Sequence, residues 1–337
     1  MWQTRNDLIR YGWLSGGLCL WMLIQVQWGA LELSPLQALG DLLRQWYSAG
    51  GLRPGSEGWL LWEIRLPRIV LGALAGSALA LAGAALQGLF RNPLADPGLM
   101  GVSAGAVLGA VSAIVLTGHN WGIMPAAFVG SLFATVLAIV LARRHPTDRT
   151  APLLLAGIAV NAVCGTLTGL LTWLADDNQL RSLTFWSMGS LAYGRWPELA
   201  LLAATVIVMF AALLRLAPAL DAWSLSPSVA HHLGFEPKAL RRKVIVWVTL
   251  GVALSTALTG TLAFVGLVAP HLVRLTGSVS HRRVLPLSAL LGAFLTLTAD
   301  ALARTLIAPA ELPVGLVLSA LGAPFFVYLL YRRPGEY

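Results

Sequence analysis

The chain has 337 residues, of which 57% are hydrophobic and only 11% are charged. A soluble globular domain carries about 25% charged residues, so this composition excludes that class and favours a helical protein that crosses a membrane many times. The net charge of +8 is also compatible with binding to nucleic acid or to an anionic surface. Only the positions of the basic residues decide between these explanations.

Ten apolar segments follow one another along the chain. The first follows a weakly basic start and lacks a small-residue cleavage site, so we predict a retained helix rather than a removed signal peptide. The shortest segment, residues 264–275, is counted as a full crossing together with the residues that flank it. The chain is therefore predicted to be all-α, with about ten transmembrane helices at residues 11–31, 66–90, 99–117, 121–142, 151–174, 197–216, 243–262, 264–275, 284–307 and 312–331.

The stretch at residues 65–105 is the most informative. Its first apolar run is long enough to span a hydrocarbon core of about 30 Å. Small residues, among them Gly76 and Gly83, recur in it at three- and four-residue spacing, which allows helix backbones to approach closely. Asn92-Pro93 and Pro97-Gly98 end the helix and turn the chain. We predict a helical hairpin packed inside the bundle.

Basic residues orient this bundle. With the N-terminus inside, the inner loops hold sixteen of the 23 lysines and arginines and the outer side holds seven. The positive-inside rule then predicts that both termini are cytoplasmic. The same distribution explains the net charge without nucleic acid.

Two polar segments are longer than minimal turns. The external one, residues 175–196, alternates polar and apolar groups and predicts a short amphipathic helix at the outer membrane surface. It is either an interfacial anchor or part of the substrate mouth. In the cytoplasmic one, residues 217–243, we expect Ser224 to cap a short helix, Leu233 and Phe235 to form an apolar face, and Gly234 to end it. Such a helix suits a groove on a partner.

Arg65 and Arg68 are basic residues on the outer side. Pro67 predicts that they lie in the first turn of a helix, where the macrodipole disfavours cations. Snorkelling to lipid phosphates is one explanation. Exposed arginines that pair with carboxylates of a docking protein are the other. Arg304 is a third candidate, with Asp300 four residues before it on the same helix face.

Motifs for chemistry are missing from the sequence. The chain has two lysines, Lys238 after Pro237 and Lys243 after Arg242, so it lacks the Gly-Lys-Ser/Thr of a phosphate-binding loop. No paired nucleophile and base and no metal cluster is visible, and we predict neither catalytic nor metal-binding residues. The energy for transport must come from a partner or from an ion gradient.

Several long motifs carry a family resemblance. The chain resembles the permease subunits of bacterial importers for iron chelates, haem and vitamin B12. The motifs are IRLPR at 64–68, LQGLFRNPLADPGLMG at 86–101, SAGA at 103–106, FVGLVAPHL at 264–272 and AELPVGLVLSALGAP at 310–324. Together they cover nearly the whole chain.

This resemblance implies one permease domain in the inner membrane, made of two inverted halves at about 60–175 and 240–332. A short sequence similarity between residues 87–90 and residues 265–268 agrees with such a repeat, although chance also explains it. The resemblance further implies a homodimer, two cytoplasmic ATPase subunits and a periplasmic binding protein. ATP and Mg would be bound by the ATPase, and this chain would hold no cofactor.

The resemblance also implies roles for single residues. Arg65, Arg68 and Arg304 match arginines that meet acidic residues of the binding protein. Asn92 and Leu94 match a cytoplasmic gate, although turn chemistry is the alternative, and a second gate falls near residues 147–150. The helix that couples to the ATPase falls at 217–243, with Ser226-Pro227 where the family usually has Gly-Glu. Its implied contact residues are Ser224, Ser226, Pro227, Ala230, His231, Leu233, Gly234 and Phe235.

Residues 179–196 resemble haem importers more than the other branches. We therefore predict a permease that translocates haem, with a ferric siderophore or vitamin B12 as the alternatives. An ion-coupled secondary transporter is the rival from another class. It would need a carboxylate or histidine inside the membrane, for which Asp300 is the one candidate.

Overall fold

The structure of the chain, a computed structural model, describes residues 2–27, 34–47, 52–118, 122–142 and 151–332. These residues form fourteen α-helices and no strand. The helices are α1 Trp2–Gln27, α2 Pro35–Tyr47, α3 Glu57–Trp59, α4 Leu66–Phe90, α5 Val102–Thr117, α6 Ile123–Ala142, α7 Ala151–Leu174, α8 Asp177–Ser187, α9 Trp196–Leu225, α10 Pro227–His232, α11 Pro237–Thr259, α12 Val265–Leu275, α13 His281–Thr305 and α14 Val314–Arg332.

Over the residues that the structure describes, each of the ten predicted apolar segments coincides with one of these helices; residues 28–31 of the first and residue 121 of the fourth lie outside them. Six stretches in the described part of the chain are long and apolar enough to cross a membrane: α3 joined to α4, then α6, α7, α9, α11 and α13. Three shorter apolar helices, α5, α12 and α14, account for three further segments. The 26-residue α1 accounts for the tenth. The all-helical membrane fold is confirmed.

The start of the first informative helix differs from the prediction. Helix α3 runs into α4 through a π-helical turn, Leu60–Arg65, and Ser56 caps its beginning by accepting the Trp59 N–H at 3.2 Å. Arg65 and Arg68 therefore lie inside a continuous helix, and the expectation that they occupy a first turn is wrong. In the π turn, the Leu66 N–H bonds to the carbonyl of Leu61. The helix thus continues through Pro67, which sequence rules associate with a helix start.

Helix α4 lies at the centre of the bundle. Its residues 78–90 are all buried, as expected of a helix that is apolar on every side. It packs against α9, α11, α12 and α13. A Cβ atom placed on Gly76 would come within 2.4 Å of the Gly292 carbonyl oxygen, and one on Gly83 within 1.8 Å of the Gly266 oxygen. The predicted close packing through small residues is confirmed.

The predicted hairpin of α4 and α5 is wrong in one respect. The corner at 91–98 turns the chain as expected, but the two helices are not packed side by side. Helix α5 packs mainly against α6 and α7, and α11 contacts both α4 and α5. The sequence pattern predicts where the chain turns, but it does not predict that α11 packs against both helices.

Two amphipathic helices flank the spans. The predicted external helix is present as α8, with a capping box formed by Asp176 and Gln179. Helix α2 was not predicted; it is held by the Asp41 carboxylate, which accepts the Gly58 N–H at 3.0 Å. That hydrogen bond lowers the pKa of Asp41 below its usual value. Helix α2 leaves an apolar face exposed at Leu36, Leu39, Leu43 and Trp46.

Candidate functional sites at the two ends of the bundle

Arg68 is the centre of an ionic cluster at the end of the bundle predicted to face outward. Its Nε donates to Asp300 Oδ1 at 2.9 Å, and its Nη2 lies 2.9 Å from the same oxygen. Its Nη1 donates to both carboxylate oxygens of Glu311, at 3.1 and 2.9 Å. The antiparallel packing of α4 on α13 brings these residues together, although more than 230 residues separate them in the chain.

Arg304 lies on the other side of Asp300. Its Nε is 3.0 Å from Asp300 Oδ2, which confirms the ion pair predicted from the i, i+4 spacing. Its Nη2 donates to Gln25 Oε1 at 3.3 Å, so α1 also joins the group. Asp300 is fully buried between the two arginines.

Arg65 also points inward, where it donates to the carbonyl of Val26. We call Arg65, Arg68, Asp300, Arg304 and Glu311 the outer cluster. Arg65 is 9% exposed and Arg304 7%, and the side chain of Arg68 is 11% exposed. The expectation that these arginines are exposed is therefore wrong: Arg68 and Arg304 pair with carboxylates of the same chain, and Arg65 donates to a backbone carbonyl. Their docking role remains a prediction.

The coupling segment differs from the prediction at its start. Helix α9 extends to Leu225, so Ser224 does not cap a short helix; its Oγ donates to the Leu220 carbonyl at 2.8 Å. Ser226 caps α10 instead and accepts the Val229 N–H at 3.0 Å. Pro227 occupies the first turn, where its missing N–H costs nothing. Only the part from Ser226 onward forms a separate short helix.

The predicted apolar face of this segment is divided. Leu233 is 63% exposed, whereas Phe235 packs against the core and Ala230 is fully buried. Gly234 has φ 84° and ends α10, as predicted. The side chains of His231 and His232 are exposed. Among the implied contact residues, Ser224, His231, Leu233 and Gly234 are exposed and can be reached by a partner.

Sequence reasoning missed a polar group beside this segment. Asp221, on the last turns of α9, accepts hydrogen bonds from Ser280 Oγ at 2.7 Å, His281 N at 2.7 Å and His281 Nδ1 at 2.6 Å. His281 is 1% exposed, and its ring packs directly against Gly88 of α4. A Cβ atom on this glycine would lie 2.1 Å from His281 Nε2. The sequence feature that could have identified this group is a single carboxylate, Asp221, at the polar end of an apolar span.

The gate candidates lie in the corner after α4. Asn92 is exposed and Leu94 is 43% exposed. Asn92 Oδ1 accepts the Leu94 N–H at 2.8 Å, which is the turn chemistry offered as the alternative. Asp96 Oδ1 accepts the Gly98 N–H at 2.7 Å, and burial raises the pKa of this carboxyl. The gate role stays a prediction, and the second gate, near 147–150, lies outside the described residues.

Helix α13 connects both ends. It begins at His281, beside Asp221, and reaches Asp300 after nineteen residues, which is about 29 Å along a helix. Gly292 sets its close contact with α4 halfway along. One helix therefore links the end of α9 to the outer cluster.

Comparison with known proteins places this fold among transporters. The model of the FecCD transport family matches residues 17–332. The hemin transport system permease protein HmuU of Yersinia pestis is 43% identical over 285 residues, covering 82% of this chain and 84% of the relative. The vitamin B12 import system permease protein BtuC of Salmonella typhimurium is 38% identical over 315 residues, covering 91% and 95%.

A solved structure shares the architecture. It is an inward-facing conformation of a metal-chelate type ABC transporter, 30% identical to this chain, with a TM-score of 0.79. The alignment covers 94% of this chain and 98% of that one. Sequence and structural likeness therefore extend over nearly the whole molecule.

Proposed function

This chain belongs to the FecCD transport family and is a multi-pass inner-membrane permease of an ABC importer for metal chelates, haem or vitamin B12; from that premise we propose that its cargo is haem. The observation that carries this proposal is the 43% identity to a hemin permease over most of both chains. Relatives that import vitamin B12 are 38% identical over an even larger share. Vitamin B12 and ferric siderophores are therefore the alternatives to be tested.

We propose that two copies of the chain form a homodimer with the pathway between them. Two cytoplasmic ATPase subunits would bind ATP and Mg, and this chain would hold no cofactor. The exposed His231 on α10 and Leu233 directly after it suit a groove on the ATPase. Closure of the ATPase pair on ATP would push α10, and the hydrogen bonds of Asp221 would transfer that push to α13.

At the opposite end, the outer cluster is the proposed docking site for a periplasmic binding protein. Arg68 lies at its solvent edge, and its Nη1 already donates to both oxygens of the Glu311 carboxylate. Arginine guanidinium groups also bind carboxylates across interfaces. Arg65 and Arg304, which are more deeply buried, would position Arg68 and stabilise the cluster rather than meet the partner directly.

The ion-coupled alternative finds no support in this arrangement. A secondary transporter needs a carboxylate that can release its partners and take up an ion. Asp300, the candidate for that role, is 0% exposed and paired with both Arg68 and Arg304. Its geometry favours a structural ion pair.

The cargo is tested through the binding protein of the importer. That protein is purified and titrated with haem, vitamin B12 and a ferric siderophore, while the absorption spectrum is recorded. Haem import predicts a shifted Soret band that saturates at one equivalent. Saturable binding of vitamin B12 or of the siderophore without any Soret change would contradict the haem proposal and leave the importer class standing.

A further inference from the structure

Two carboxylates divide the guanidinium of Arg68 between them. Asp300 takes the Nε and Nη2 side and is 0% exposed. Glu311 takes Nη1 with both of its oxygens and is 43% exposed. Every nitrogen of Arg68 thus has a carboxylate partner, but only one of the two carboxylates lies at the surface.

Glu311 is held in place by its loop. This loop joins α13 to α14, and the N–H of the next residue, Leu312, donates to the Ala303 carbonyl at 2.9 Å. On the other side of Glu311, the Ala310 N–H donates to the Ile307 carbonyl at 3.1 Å. The contact with Arg68 is therefore set by the end of α13, and only the glutamate side chain has freedom to leave.

We propose that Glu311 is an internal stand-in for a carboxylate of the binding protein, which displaces it from Arg68 when the two proteins dock. This inference rests on the proposed function, because it assumes that an acidic partner binds the outer cluster. It assigns to Glu311 the role of an internal competitor. Docking is then an exchange of one carboxylate for another.

The charges of the outer cluster favour such an exchange. Breaking the contacts between Arg68 and Asp300 would leave the fully buried Asp300 with Arg304 as its one remaining ion-pair partner, and separating a buried pair is unfavourable. Displacement of Glu311 leaves a solvated glutamate, and the incoming carboxylate restores the pair with Arg68. Arg68 is therefore paired with one surface carboxylate both before and after docking. A neutral partner surface cannot make this exchange, so Glu311 selects for an acidic one.

The first test uses this chain alone. Phenylglyoxal reacts with accessible arginines, and mass spectrometry of peptides reports the modification rate at Arg68 in the detergent-solubilised protein. Glu311→Ala is expected to raise that rate about tenfold. The control Glu198→Ala removes another glutamate on the predicted outer side, one that pairs with Arg195, and should leave the rate at Arg68 unchanged.

The second test measures docking. The purified permease–ATPase complex is titrated with the importer's binding protein by biolayer interferometry. Glu311→Ala should tighten the dissociation constant about tenfold, equivalent to about 1.4 kcal/mol, and Glu311→Gln should give a smaller gain. Glu198→Ala shows how much comes simply from removing one negative charge. In an Arg68→Gln background, the gain from Glu311→Ala should disappear.

Each outcome decides a different point. An unchanged dissociation constant in Glu311→Ala, or a gain no larger than that of Glu198→Ala, would overturn the competition between carboxylates. A gain that persists with Arg68→Gln would also overturn it, because the effect would not act through that arginine. Absence of any saturable binding by the wild-type complex would instead contradict the proposed docking function itself. Thermal unfolding followed by tryptophan fluorescence verifies that each variant is folded.

Discussion

Gly83→Ala perturbs the closest helix contact in the centre of the bundle. The added Cβ would lie 1.8 Å from the carbonyl oxygen of Gly266, 2.5 Å from its carbonyl carbon and 2.8 Å from its Cα. Ordinary contact begins near 3.4 Å, so α12 must move by about 1.6 Å to restore it. All three atoms belong to the backbone, and no side-chain rotation relieves the clash.

The expected destabilisation follows from that geometry. Overpacking a core costs about 1–3 kcal/mol, and a clash with backbone belongs at the upper end of this range. Gly165→Ala is the matched control, because a Cβ on Gly165 of α7 has nothing within 4 Å. Alanine is the better helix former by about 0.5–1 kcal/mol, so this control should be neutral or slightly stabilising.

The assay is the apparent unfolding temperature in detergent, read by tryptophan fluorescence. Membrane proteins often unfold irreversibly, so all variants are heated at one rate. Gly83→Ala should unfold several degrees below wild type and Gly165→Ala at or above it. Equal unfolding temperatures for the two variants would refute the close packing of α4 on α12.

Three further predictions concern the charged and exposed groups. Asp300→Asn should lower the apparent unfolding temperature strongly, since breaking a buried ion pair costs about 3–5 kcal/mol; exposed Asp177→Asn should not, and equal shifts would contradict the buried pair. Asp221→Asn weakens the bonds to His281 and should reduce transport several-fold while ATPase assembly and basal hydrolysis remain; wild-type transport would contradict the transmission through α13. Leu233→Asp places a charge on the exposed part of α10 and should abolish co-purification of the ATPase without lowering the unfolding temperature; retained ATPase would remove α10 from the coupling contact.

The central helices could be predicted from sequence because their pattern is local. The run of small residues from Gly76 to Gly83 predicts close packing, and the corner motif after it predicts a turn. Helix α8 was also predictable, since its polar and apolar residues alternate with the helical period. Helix α2 was missed because thirteen amphipathic residues do not form an apolar run, although Leu36, Leu39, Leu43 and Trp46 recur at helical spacing.

The candidate sites were only half predictable. The i, i+4 pair of Asp300 and Arg304 follows from helix geometry alone. The partners of Arg68 do not, because Glu311 lies 243 residues away and reaches it only through the packing of α13 on α4. A sequence rule therefore identified the arginines but misjudged their exposure. The bonds between Asp221 and His281 were missed for the same reason.

Uptake of haem by proteoliposomes tests the central claim most directly. The purified chain is reconstituted with its ATPase, with the binding protein and haem on one side and ATP on the other. The account predicts saturable haem accumulation that requires both ATP hydrolysis and the binding protein. Haem uptake that proceeds without ATP and follows an imposed proton or sodium gradient would contradict it.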